Sequence, residues 1–309
     1  MTPPAVGLMG GAVLIATTAP VLLRRCQGMV SAPTVGLVAW LGAAVAALGM
    51  MVAAGPLALL DAHLWLAAHA KPFSGFLAGC IGMLHRPGAA AFAASLLASA
   101  IVVHVFLVLV RTRSKRRNQA RAYSRTLERL GRYDAGLGAL VVPYSKPVCF
   151  CLSGDAPLIV ISSGALRTLT ARQLDAVLSH ERAHLKGRHH TLTAVAQGLS
   201  RALPLPLFRA LPEQIELLVE RLADERAGNR CGRDQVASAL LRMVEHTVPG
   251  TALAATGGSV QTRVSYLLDP AGCPRLRLQT LASWLVAAAV TALGPATILT
   301  LACGLSLAP

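Results

Sequence analysis

Four stretches of the chain are long enough to cross a bilayer and carry no charged side chain: about 4–23, 34–60, 87–110, broken only by His104, and 278–309. A transmembrane helix needs roughly 20 apolar residues, so all four are predicted to span. Between the third and fourth the pattern changes. Leu137–Val142, Val148–Leu152 and Leu158–Ser162 are short runs of strand-forming residues, separated by Pro143 and by the turn composition Ser153-Gly154-Asp155-Ala156-Pro157. They predict a small antiparallel sheet. Helical spacing then takes over. A helix over 115–131 precedes the strands. Another opens at Thr170, where Thr170 and Gln173 form a capping box, and carries the apolar stripe Leu174, Val177, Leu178, Ala183 and Leu185. A third is predicted from Pro212 to Ala227, a proline being allowed in the first turn. A fourth is capped by Asp234 and reaches His246. The proline-rich 199–212 reads as a connector. The fold class is an α+β membrane protein: three spans within 1–110 with an outside loop 61–86, a water-facing domain over 111–277, and a fourth span over 278–309.

Composition sharpens that division. Hydrophobic residues make up 54% of the 309 and charged residues 14%, against roughly a quarter charged in a soluble domain. All 14 acidic residues except Asp61 lie between Glu128 and Asp269, which marks the water-facing block. The net charge of +15 sits largely beside the apolar stretches, where membrane orientation explains it and a nucleic-acid partner is not expected. Arg24 and Arg25 follow the first span, and Arg111, Arg113, Lys115, Arg116 and Arg117 follow the third. Positive residues mark cytoplasmic ends, so both clusters and the domain over 111–277 are expected inside the plasma membrane, with the N-terminus outside. The seven cysteines show no regular spacing, which favours free thiols in a reducing compartment over a disulfide framework. Cys149 and Cys151 share one face of a strand, and structural thiols suit them better than a metal clip.

The chemistry concentrates in His180-Glu181-Arg182-Ala183-His184. Histidines four apart project from one helical face and can meet one metal ion, while the adjacent Glu181 can reach a water beside it as general base. A catalytic zinc takes three protein ligands. The third is expected from Glu220, ahead of Glu216 and Glu225, with Asp224 one turn later able to receive the other ring N–H of a ligand histidine. His189 and His190 are expected near the site, exposed or hydrogen-bonded. His63, His69, His85, His104 and His246 show no partner in the sequence.

From Val141 to Ala227 the chain resembles the BlaR/MecR-type membrane zinc metallopeptidases, and more distantly the HtpX and CaaX-protease gluzincins. The resemblance rests on Val142-Pro143-Tyr144-Ser145, Pro157-Leu-Ile-Val-Ile-Ser-Ser-Gly164, Ala176-Val-Leu-Ser-His-Glu-Arg-Ala-His-Leu185 and Glu220-Arg-Leu-Ala-Asp224. It implies a gluzincin-like cytoplasmic peptidase domain with one Zn2+. It also implies His180, His184 and Glu220 as ligands, Glu181 as base and Asp224 as supporting carboxylate. Relatives often carry an aspartate where this chain has His189. Receptor members carry an extracellular penicillin-binding sensor after the last span, and the chain reads to Pro309 without one, so it is not expected to sense β-lactams directly.

The function expected is a zinc-dependent endopeptidase acting on cytoplasmic or membrane proteins in regulated signalling, with a cytoplasmic transcription repressor among the partners. Quality-control proteolysis and a non-catalytic zinc-binding adaptor are the rivals. An extended substrate is expected to pair with a free strand edge within 137–162, to be blocked by a proline at Val160.

Overall fold

The computed structural model describes residues 3–25, 33–69, 87–153, 157–245 and 253–269. Three long helices come first: α1 (Pro3–Arg25), α2 (Pro33–His69) and α3 (Pro87–Leu130). Each contains a segment long and apolar enough to cross a membrane by length and composition. They are not equally covered. Ala39, Trp40, Ala43 and Ala47 of α2 are buried, whereas Leu96, Leu97, Val103 and Phe106 of α3 are each more than half exposed. Apolar side chains bared in a continuous band are what a lipid-facing helix presents.

α3 spans 44 residues, roughly 66 Å at 1.5 Å per residue, about twice the hydrocarbon thickness of a bilayer. The helix expected over 115–131 is thus the continuation of the third apolar stretch. The segment 61–69 of the expected outside loop lies within α2; residues 70–86 and the fourth apolar stretch, 278–309, lie outside the described residues.

The strands are β1 (Arg132–Asp134), β2 (Ala139–Val142), β3 (Cys149–Leu152) and β4 (Leu158–Ser162), in the order β1-β2-β4-β3. The sheet is mixed. β1 with β2 and β3 with β4 are antiparallel, but β2 and β4 run parallel, which corrects the expected all-antiparallel sheet. The segment between β2 and β3 crosses the end of β4 and is fixed there. Ser162 Oγ donates to the Lys146 carbonyl at 2.7 Å and accepts from Val148 N–H, while Gly164 N–H donates to the Tyr144 carbonyl. A Cβ on Gly164 would lie 2.2 Å from the Ser145 carbonyl oxygen, so only glycine permits this crossing. β3 therefore lands on the far edge. Val160, paired to Leu140 on one side and Phe150 on the other, is central, and among the described residues β1 and β3 are the edge strands.

Helices α4 (Ser163–Thr168), α5 (Ala171–Lys186), α6 (His189–Ala202), α7 (Pro206–Cys231), α8 (Arg233–Glu245) and α9 (Leu253–Leu268) follow. The predicted connector 199–212 is mostly helical: α6 runs into it and α7 starts at Pro206, not Pro212. Pro206 takes the tolerated first-turn position. Pro212 lies inside α7 and forgoes one backbone bond, a cost offset by the burial of Leu207, Phe208, Leu211 and Ile215 in one apolar core with α1 and α2. A second core joins the sheet to α4, α5 and α8, and a third joins α5, α7, α8 and α9.

Candidate metal centre

α5 is placed at its start and along its length. Thr170 N–H donates to Gln173 Oε1 at 3.0 Å and Gln173 N–H donates to Thr170 Oγ1 at 3.3 Å, the capping box read from the sequence. Gln173 Nε2 also donates to Ser238 Oγ, tying α5 to α8. One face of α5 then carries Ala176, Val177, His180, Glu181 and His184 into a cavity of about 420 Å³. α7 brings Glu220 to the same point.

His180 Nε2 and His184 Nε2 are 3.0 Å apart; Glu220 Oε2 lies 3.5 Å from the first and Glu220 Oε1 3.4 Å from the second. Three ligands at the zinc bond lengths of about 2.0–2.1 Å, set at tetrahedral angles, stand roughly 3.3 Å apart. The two ring nitrogens, with one Glu220 carboxylate oxygen turned to each, stand at a spacing that suits such an ion. The donor set, two imidazoles and a carboxylate, is that of a catalytic site with a position left open. Glu216 is exposed and Glu225 half-buried, outside this cluster.

The charges around this cluster are tightly paired. Asp224, fully buried, places Oδ1 3.0 Å from His180 Nδ1, which leaves His180 Nε2 for the cluster. Arg263 on α9 donates from Nε and Nη2 to both Asp224 oxygens at 2.7 Å and places Nη1 3.0 Å from Glu220 Oε2. Sequence reading missed Arg263: it lies 39 residues beyond Asp224, in a segment containing Gly257-Gly258 that offers no helix signal.

Burial disfavours the charged form of His180, but the Asp224 and Glu220 carboxylates more than offset it, and the pKa rises to about 9. Burial pushes Glu220 up, and His180 with Arg263 overrides this and holds it down to about 2. His184 is lowered to about 4 by burial and by the charge on His180. It is neutral, so its approach to Glu220 is not an ion pair. Burial raises Glu181 above the carboxylate range, partly opposed by His180 and by a hydrogen bond with the Cys151 thiol. Burial, then the Glu181 charge, raises Cys151 to about 12, so it stays a thiol, as does Cys149. Both are free cysteines lining the cavity.

His189 is not exposed, being 1% accessible at the start of α6, with Nδ1 3.0 Å from His184 Nδ1. The two Nδ1 atoms are within hydrogen-bond distance, and a metal held by His184 Nε2 would make His184 the donor and His189 the acceptor. Two local features allow the approach. Arg188 takes a left-handed conformation, φ 49°, so α6 restarts at once, and a Cβ on Gly187 would lie 2.2 Å from His189 Nε2. His190 is half-buried toward Arg116 and Arg113 of α3, away from the cluster. His104 is exposed on α3, and His63, His69, His85 and His246 fall outside the residues whose side chains are described.

No curated protein and no solved structure matches the chain. Residues 139–223, less than a third of the chain, match Peptidase family M48. The matched segment holds His180, Glu181, His184 and Glu220, and the match supports a metallopeptidase.

Proposed function

We propose that the protein is an integral plasma-membrane, zinc-dependent endopeptidase that hydrolyses peptide bonds of cytoplasmic or membrane proteins. The observation that carries this reading is the meeting of His180 Nε2, His184 Nε2 and the two Glu220 carboxylate oxygens, in contacts of 3.0–3.5 Å, beside the buried carboxylate of Glu181. The family match and the His/His/Glu cluster support a metallopeptidase, and the helices α1, α2 and α3 support a membrane location. The arginine clusters after the first and third apolar stretches favour a cytoplasmic domain.

His180, His184 and Glu220 would hold the zinc, which when bound supplies a Lewis acid for the scissile carbonyl and acidifies a water. The remaining work belongs to the chain. Glu181 takes the proton from the attacking water and, once protonated, delivers it to the leaving amine; its raised pKa suits that exchange. Asp224 holds the His180 ring through Nδ1, and Arg263 holds Asp224 and Glu220 in place. β3, an edge strand among the described residues whose Cys149, Phe150 and Cys151 line the cavity, suits an extended peptide backbone. The resemblance to the receptor-type peptidases favours regulated cleavage of a repressor or partner protein. A purely structural zinc adaptor has no use for a buried Glu181 at the cavity.

The test compares new protein N-termini in cells expressing wild type or Glu181→Gln, which spares the metal ligands. Termini made only by wild type establish proteolysis and name the substrate. Identical profiles, with zinc present in both proteins, count against the peptidase.

A further inference from the structure

The proline-rich turn between α6 and α7 lies among the apolar helices, about 21 Å along α7 from Glu220. α6 starts beside the metal cluster at His189 and follows α3 back toward its apolar part. Arg116 of α3 donates to Thr193 Oγ1 and to Gln197 Oε1. At the next residue Gly198 meets Leu109, where a Cβ would lie 2.6 Å from Leu109 Cδ2. Leu109 stands just before Arg111, the first charge after the apolar stretch 87–110, so at Gly198 the helix α6 has reached the level of the hydrocarbon boundary. Leu203, five residues on, lies about 7.5 Å further along the axis. α7 reports the same level independently. Glu213 approaches Arg24, the first charge after the α1 stretch, at 3.6 Å, and Pro206 precedes Glu213 by roughly 10 Å of helix. Leu199, Leu203, Leu207 and Phe208 share one core with α1, α2 and Val105 of α3, and Val105 itself lies about 9 Å of helix inside Arg111.

The turn suits that depth. From Ala202 to Phe208 it has no charged or polar side chain. Pro204 and Pro206 are exposed at its tip and carry no N–H, so the tip bares fewer donors where water is scarce. Leu203 N–H donates to the Leu199 carbonyl, and the Leu205 carbonyl accepts from Arg209 N–H. Arg201 and Arg209, both exposed, stand one turn to either side of the tip. From there a long basic side chain can lay its stem along lipid and put its charge among phosphate headgroups. Resting on the reading of α1, α2 and α3 as membrane helices, and not on the peptidase chemistry, we infer that the α6–α7 turn is a membrane wedge. It enters the acyl chains of the leaflet at which α1 and α3 end, with Arg201 and Arg209 at that leaflet's phosphates. α7 is one helix from the wedge to Glu220, so its length holds the metal cluster about 10 Å above the level of Glu213.

The test uses the unaltered full chain in lipid nanodiscs containing phosphatidylcholine with a diazirine either midway along one acyl chain or on the headgroup. After irradiation, trypsin cuts after Arg201 and Arg209 and releases 202–209 as one peptide. It also cuts after Arg233 and Arg242, which releases 234–242 of α8, a helix that shares no core with α1, α2 or α3. The acyl probe should label 202–209 at least about tenfold more than 234–242, and more than the headgroup probe does. Pro204→Asp, at an exposed position, should cut acyl labelling of that segment about fivefold or more while labelling of α3 is unchanged. Wild-type labelling of 202–209 no higher than that of 234–242 would overturn the inference, since it places the tip in water or under a second copy of the chain. So would headgroup labelling that exceeds acyl labelling, which leaves the tip on the surface, and so would Pro204→Asp labelling equal to wild type. If the apolar part of α3 takes no acyl label either, the membrane reading itself fails and takes this inference with it.

Discussion

The two halves of α7 live in different surroundings. Leu207, Phe208, Leu211 and Ile215, none more than 0% exposed, pack with α1 and α2 in a core without charge. Three turns on, Glu220, Arg221 and Asp224 sit in a lattice of charges with His180 and Arg263, and Arg221 stacks 5.1 Å over the Tyr266 ring. The first half can be replaced in kind, since apolar packing tolerates any side chain of similar volume. The second half cannot, because each buried charge is affordable only while its partner stays. One rigid helix thus joins a general apolar anchor to a specific chemical site.

The sharpest way to break that comparison is Asp224→Ala. It removes the Nδ1 partner of His180 and leaves the Arg263 guanidinium with Glu220 alone, and a lost buried partner costs about 3–5 kcal/mol. Zinc affinity should also fall by about 10–100-fold as His180 loses its support. Thermal unfolding and metal titration read the two effects, and a variant with normal affinity would show that Asp224 does not position His180. Phe208→Ala should cost a similar ~3–5 kcal/mol in stability while the protein that remains folded binds zinc as wild type does. A selective loss of metal there would mean the halves are not separate.

His189→Ala probes support arriving from α6 instead of α7. Zinc affinity is expected to drop about 10-fold or more, with His189→Asn, which can still accept through its amide oxygen, intermediate. Protonation gives a further reading. With His180 raised to about 9, metal must displace its proton at neutral pH, so apparent affinity should rise up to about tenfold per pH unit from 7 and level off above 9. A flat profile over that range would place the proton elsewhere. At the small end, Arg24 and Glu213 approach at 3.6 Å, with side chains 53% and 77% exposed. Arg24→Ala should change stability by less than about 1 kcal/mol.

How much of this was legible depended on whether the signal was local. The α5 cap and the histidine spacing are contained in fifteen residues, from Thr170 to His184, and the helix formed as read. Glu220 could be named because it shares a helical face with Asp224. α6 escaped because it starts without a side-chain cap, after a left-handed Arg188 that sequence gives no reason to expect. The start of α7 was misplaced because Pro206 and Pro212 both suit a first turn, and only the apolar core around Leu207 and Phe208 decides between them. Strand alternation carries no information on direction, so the parallel pairing of β2 with β4 depended on contacts made by Ser162 and Gly164 that are long in range. Arg263 was beyond reach for the same reason.

X-ray absorption at the zinc edge on the purified full chain, compared with His184→Ala, tests the metal cluster most directly. One zinc per chain is expected, with nitrogen and oxygen neighbours at about 2.0–2.1 Å and no sulfur, and the ion should be lost or its shell depleted in His184→Ala. A sulfur neighbour at about 2.3 Å would move the metal to Cys149 and Cys151, and an unchanged spectrum in His184→Ala would contradict the cluster of His180, His184 and Glu220.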